Sequence, residues 1–304
     1  MSYLRKLPDF VRARELANGC KWKAAAADFY RACDIMRHAN QVNESTLAHL
    51  YAGTCELYAG NTQRCVDVFS SVNPRTTSSR AMESCTERFR LAASVQLHLE
   101  TDCMIPQSDS VWWRLGSGDK PGTSSDPLAH GICEIIEGRT AEVPDELKLE
   151  AEAYSMLIKA SNALSKLSVA NTEGSELELV NAALKAGKKI RSKTIGSWYI
   201  GRSLLMRGQL FEYNGNALMA EAMYSAARDV TISAEVADTA RIRILRKMAC
   251  NSLGDLLLKW EKREPVGAKL KALNQVPVDK ETLERAINFF VPEPTLEQLD
   301  ILDV

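Results

Sequence analysis

The chain has 304 residues, 45% of them hydrophobic and 25% charged, with a formal net charge of -1, so it can bury a large core and carries no global basic field that would demand nucleic acid or an anionic membrane. No apolar run approaches the roughly 20 residues needed to span a bilayer, and the first residues lack the apolar core of a secretory signal. The expectation is an intracellular protein, cytoplasmic or mitochondrial, not secreted and without a membrane span.

Residues 1 to 19 place Arg5, Lys6, Arg12 and Arg14 against Asp9 and Glu15, with an apolar stripe of Leu4, Leu7, Phe10, Val11 and Leu16. That stripe suits an organelle-import segment or the first helix of a fold, and its continuity with the first repeat-like helix favours the second. Helical periodicity predicts elements near residues 9 to 18, 22 to 38, 45 to 59, 62 to 72 and 79 to 100. Gly116, Gly118, Pro121, Gly122 and a Ser-rich run break the pattern over 101 to 128. It resumes near 128 to 137, 146 to 170, 176 to 192, 195 to 213, 217 to 230, 233 to 261, 266 to 274 and 280 to 290, with no competing strand pattern. The expected organisation is a helical half at 1–100, an irregular linker at 101–128, a second helical half at 129–290 and an acidic, apolar tail at 291–304. In that tail Thr295 and Gln298 are spaced to cap a short helix after Pro294.

One spacing recurs. Leu204, Gly208, Phe211, Gly215, Ala220, Tyr224 and Ala227 put small and aromatic side chains where two antiparallel helices touch, with Gly215 at the turn. Ala25, Phe29 and Ala32 repeat part of it behind Leu16, Gly19 and Trp22, and Gly53, Gly60, Cys65, Phe69 and Val72 form a third copy. This pattern resembles the tetratricopeptide repeat, although Cys65 and Val72 replace the usual Ala, Gly19 sits one place early, and Ala25 and Cys65 lie 40 residues apart where the family has about 34. The resemblance implies an all-α, TPR-like α-solenoid of antiparallel helix pairs with irregular repeats. An irregular all-α bundle sharing a few Ala and Gly contacts is the alternative.

By that resemblance the first helix of each hairpin lines a concave, partner-binding groove and exposes Phe10, Arg14, Leu50, Thr54, Arg202, Leu205, Gln209 and Glu212. Phe10 and Tyr51 stand where Lys and Asn would grip a terminal carboxylate, so a more apolar peptide or helix from another protein subunit is the expected ligand. Trp112 and Trp113 are candidate partner anchors, and Leu296, Leu299 and Leu302 could make the tail a docking segment or a cover for the apolar end of the stack. The rival reading is RNA binding through Lys188, Lys189, Arg191 and Lys193, near Lys185, Arg202, Trp198 and Tyr199, with Arg241, Arg243, Arg246 and Lys247 as a second basic group.

Catalytic signals are missing. There is no HExxH, GxSxG or CxxC motif, and the eight Cys lack paired close spacing, so neither a metal site nor a disulfide framework is expected. Residues 116 to 123 resemble a phosphate loop only in composition, because Pro121 follows Lys120 and no strand precedes it. The sequence therefore suggests a non-catalytic adaptor or scaffold with no cofactor and no small-molecule substrate.

Overall fold

In the computed structural model, which describes residues 3–72, 80–101, 114–115, 126–140, 143–164, 175–274 and 291–302, the described residues form thirteen α-helices and a short 3-10 helix, with no strand. After the 3-10 helix Leu4–Lys6 come α1 (Pro8–Asn18), α2 (Trp22–His38), α3 (Val42–Tyr58), α4 (Thr62–Ser71) and α5 (Arg80–Thr101). They are followed by α6 (Pro127–Ile136), α7 (Asp145–Leu164), α8 (Ser175–Gly187), α9 (Lys193–Tyr213), α10 (Ala217–Val230), α11 (Ala240–Leu258), α12 (Glu264–Leu273) and α13 (Leu296–Asp300). Neighbours in sequence pack on one another from α1 to α5, from α6 to α10 and on to α12, an arrangement consistent with an α-solenoid. None of the described helices is long and apolar enough to cross a membrane.

The turns explain the spacing. At Cys20, Asn40, Gly60, Gly138 and Gly215 the backbone is left-handed, with φ of 56°, 57°, 81°, 78° and 75°. In each case the next residue's amide donates to the carbonyl five residues back, as in Lys21 to Leu16 at 2.9 Å and Asn216 to Phe211 at 2.8 Å, which is the Schellman closure of a helix. The first three of these residues are spaced by twenty, so one helix with its turn is a twenty-residue unit. The 40-residue interval between Ala25 and Cys65 is then two such units.

Counting from the turns also sets the helix contacts. Seven residues before each of three turns lies a small residue, Ala13, Gly53 or Gly208, and nine residues after it an aromatic, Phe29, Phe69 or Tyr224, all buried. A Cβ on Gly53 would stand 2.4 Å from Phe69 Cε1, and one on Gly208 would stand 2.3 Å from Tyr224 Cε1, so the rings rest directly on the opposing backbone. At the first turn the one-place offset of Gly19 has a structural counterpart. Gly19, at φ -86°, is an ordinary residue, and Cys20 occupies the left-handed position. Replacing an exposed L-residue there with glycine removes backbone strain of about 1–2 kcal/mol, partly offset by the greater freedom of the unfolded chain. Cys20→Gly is thus expected to raise stability by about 0.5–1 kcal/mol in urea unfolding, whereas Gly19→Ala, whose Cβ would meet only carbonyl oxygens at 3.5 and 3.6 Å, leaves it nearly unchanged.

Two helix limits differ most from expectation. The element expected at 176 to 192 ends at Gly187, where a Cβ would press on Tyr199 Cβ at 2.9 Å, and Ser192 then starts α9 by accepting from Ile195 N at 3.4 Å. The element expected at 233 to 261 begins only at Ala240, because Thr239 is extended and its hydroxyl caps Ile242 N at 3.3 Å. The predicted helix at 280 to 290 and residues 165 to 170 of another lie outside the described residues.

Buried apolar side chains form two clusters that meet along α5. Ala93 belongs with the α1–α4 cluster, and Leu91, Ala92 and Val95 belong with the α6–α12 cluster. Leu4, Leu7, Phe10 and Ala13 are part of the first, so the amphipathic start of the chain is used as core. The path of the helices brings α11 back against α5, where Arg241 N donates to Gln96 Oε1 at 3.3 Å and Arg243 pairs with Glu100. The resulting channel is occupied by residues 291–302.

Candidate functional site

The base of the channel is an aromatic group, with Phe10 edge-on to Phe29 and Tyr51 at centroid distances of 5.2 and 5.1 Å and Phe29 stacked on Tyr51 at 5.0 Å. Against it and α7 lies the terminal segment, whose α13 begins with a full capping box. Thr295 Oγ1 accepts from Gln298 N at 3.1 Å, and Gln298 Oε1 accepts from Thr295 N at 3.2 Å. Leu296, Leu299 and Leu302 join the first apolar cluster, and Val291 joins the second.

The walls grip this segment through its carbonyls and polar side chains. Tyr58 Oη donates to Pro294 O at 3.1 Å, and Arg5 Nη2 donates to Asp300 O at 2.7 Å and Leu302 O at 3.2 Å. The Asp300 carboxylate accepts from Arg14 Nη2 at 2.6 Å and from Tyr51 Oη. Gln96 Nε2 donates to Glu293 Oε1 at 2.9 Å. Gln298 is held from both sides: Arg88 Nη1 donates to its Oε1 at 2.9 Å, and its Nε2 donates to Glu150 Oε2 at 2.8 Å.

Behind these contacts lies a buried set of charges. Arg88 Nε donates to Asp126 Oδ2 at 2.8 Å with both side chains all but inaccessible, while Asp126 Oδ1 caps α6 at Leu128 N and Ala129 N. Arg241, 1% exposed, lies with its Cζ 3.7 Å over the Trp198 ring; burial pulls its pKa down to about 10, against the opposing pull of Glu293. Two guanidinium groups thus face three buried carboxyls, Asp126, Glu150 and Glu293. Burial lifts Glu150 to about 7, with Arg88 and Gln298 pulling the other way, and burial likewise raises Glu293. A proton on Glu150 brings the group to neutrality.

That proton has a thermodynamic consequence. Between the ordinary carboxyl value near 4.5 and about 7 the folded chain keeps a proton at Glu150 that the unfolded chain has released, so stability falls as pH rises through this window and the loss is complete above it. Glu150→Gln, which preserves an acceptor for Gln298, is expected to be more stable than the wild type by about 2–3 kcal/mol at pH 8 and to lose that advantage by pH 4.5. Urea titrations of the two proteins across this range read the difference; parallel curves would place no proton on Glu150.

Several sequence expectations are corrected by these positions. Phe10, Leu50, Thr54 and Leu205 are buried and present nothing to an open groove: Phe10 is enclosed by Phe29 and Tyr51, and Thr54 Oγ1 is turned onto Leu50 O at 2.9 Å. Arg14 faces the channel but holds Asp300. Gln209 is exposed, Arg202 is half-buried, and Glu212 is half-buried and accepts from Tyr224 Oη at 2.8 Å and Lys259 Nζ at 2.6 Å. Leu296, Leu299 and Leu302 are packed within their own chain, so they form no free docking tail in this state. Trp112 and Trp113 lie outside the described residues, as does most of the 101–128 break.

The basic residues Lys188, Lys189, Arg191 and Lys193 do sit together, exposed on the α8–α9 connection. Their expected stacking partners do not join them, since Trp198 and Tyr199 are interior and pack on each other at 4.9 Å beside Arg241. In the second basic group Arg241 is buried, and Arg243 and Arg246 pair with Asp238. Sequence reasoning missed Arg88, Asp126, Glu150, Gln96 and Glu293. The one available signal was the Thr295 and Gln298 cap, which marked the segment but not its seat.

Comparison with protein-family models, with curated proteins and with solved structures gave no match.

Proposed function

We propose that this chain is a non-catalytic adaptor or scaffold, a TPR-like helical-repeat protein that works by binding segments of other proteins. The observation that carries the reading is the channel itself: side chains from α1, α3, α5 and α7, with Arg5 ahead of them, enclose residues 291–302, taking their carbonyls with Tyr and Arg donors and their leucines into apolar sockets. Packed helices whose polar groups are committed to a peptide's backbone and side chains are suited to peptide recognition.

RNA binding is the less supported alternative, because Trp198 and Tyr199, the aromatics that follow the exposed lysines in sequence, are interior. The test is capture of the full-length chain with its associated molecules after in-cell cross-linking. A defined protein cross-linked in near-stoichiometric amount and insensitive to nuclease is the expected outcome. Recovery of nucleic acid alone, or of the chain alone, would overturn the adaptor reading.

A further inference from the structure

We infer that the channel is a sequence-selective peptide site, that residues 291–302 occupy it in cis, and that it takes from a partner protein a segment of the same chemistry: a Pro-Thr-Leu-x-Gln-Leu-Asp stretch forming one capped helical turn. This deepens the adaptor reading and rests on it.

The contacts divide as host and ligand. Tyr58 and Arg5 hold the segment by main-chain carbonyls, a grip that does not depend on side-chain identity, whereas three features select among sequences. Gln298 meets Arg88 through its oxygen and Glu150 through its nitrogen, so an amide, with an acceptor and a donor side by side, satisfies both buried partners. Leu296 and Leu299 enter the apolar cluster on either side of it. The Asp300 carboxylate meets Arg14 and Tyr51, a charge match in which the host supplies only donors.

Thr295 serves the bound shape, because its capping box fixes the helical turn that aims Gln298. The acidic side chains near the two ends of the segment differ in depth. Glu293 is fully buried, whereas the Asp300 side chain is 39% exposed and its partner Arg14 26%. An incoming segment therefore meets the accessible acidic end first and displaces the cis occupant from Asp300 inward.

The test uses the full chain with Leu296→Asp and Leu299→Asp, which expels the segment and leaves the channel walls intact, and a fluorescent peptide of residues 291–304. Anisotropy is expected to rise on addition of this variant. The wild-type chain is expected to bind the peptide at least about 30-fold more weakly, because its own segment competes at high effective concentration. Peptide carrying Gln298→Ala is expected to bind about 10- to 100-fold more weakly than the unaltered peptide. A variant that keeps its helical circular dichroism and its cooperative melt yet ignores the peptide overturns the inference.

Should the variant fail to fold, a protease site placed between Asn274 and Val291 of the otherwise unaltered chain gives a second measurement. Once cut, the channel is expected to exchange its segment for labelled peptide. A cut, folded chain that shows no exchange up to the onset of unfolding overturns the inference equally. Both measurements read the channel without any cellular partner. Their failure leaves the adaptor reading to the outer surfaces, whereas peptide exchange without a cross-linked protein in cells counts against the adaptor reading alone.

Discussion

Arg88→Met is expected to lower the unfolding free energy by about 3–5 kcal/mol. The substitution keeps the aliphatic volume but strands the Asp126 carboxylate, whose side chain is 1% exposed, and removes the donor that Gln298 Oε1 accepts in the channel. Asp126→Asn at the same time replaces the stranded charge with a neutral group that still caps α6. The double variant should therefore cost clearly less than the sum of the two single changes, with a coupling of about 1–3 kcal/mol in a urea-based double-mutant cycle. Additive costs would show that the pair does not stabilise the fold as a unit.

Gly208→Val is expected to cost about 3 kcal/mol, although glycine is the poorer residue within a helix. The new Cβ would fall 2.3 Å from Tyr224 Cε1, and the ring cannot retreat without giving up the 2.8 Å bond from its hydroxyl to Glu212. Truncating the ring as well, in Gly208→Val with Tyr224→Leu, should recover part of the loss. Gly53, facing Phe69 at 2.4 Å, should respond in the same way. Thermal melts of the single and double variants check both hairpins, and a Gly208→Val chain as stable as the wild type would show that the helices are not held apart by backbone-on-ring contact.

Much of the fold could be read from the chain because its rules are local. Gly208, Gly215 and Tyr224 announce a hairpin through size and backbone preference alone, and the limits of α2 and α10 follow from periodicity. Cys20 escaped because no side-chain preference marks it as left-handed; only the regular count from Ala13 does. The charged interior was illegible for a different reason. Arg88 and Glu150 have the sequence appearance of solvated helix faces, and their burial depends on Asp126 and Gln298, which are 38 and 148 residues away from one or the other. The groove residues Leu50 and Leu205 followed a family expectation that the first helix of each pair stays open, and the packing of this chain closes over them.

The bond from Arg5 to Asp300 closes a span of 295 residues. Contacts of such high order form last, since loop closure must be met before they contribute, and synthesis at about 5–20 residues per second places the N-terminal helices outside the ribosome for roughly tens of seconds before Asp300 exists. Until then the nascent helices carry Arg14, Arg88 and Glu150 without the contacts that residues 291–302 bring. The maturing chain thus passes through a stage with its channel unfilled on every round of translation, and the partner binding proposed above would have its opportunity there.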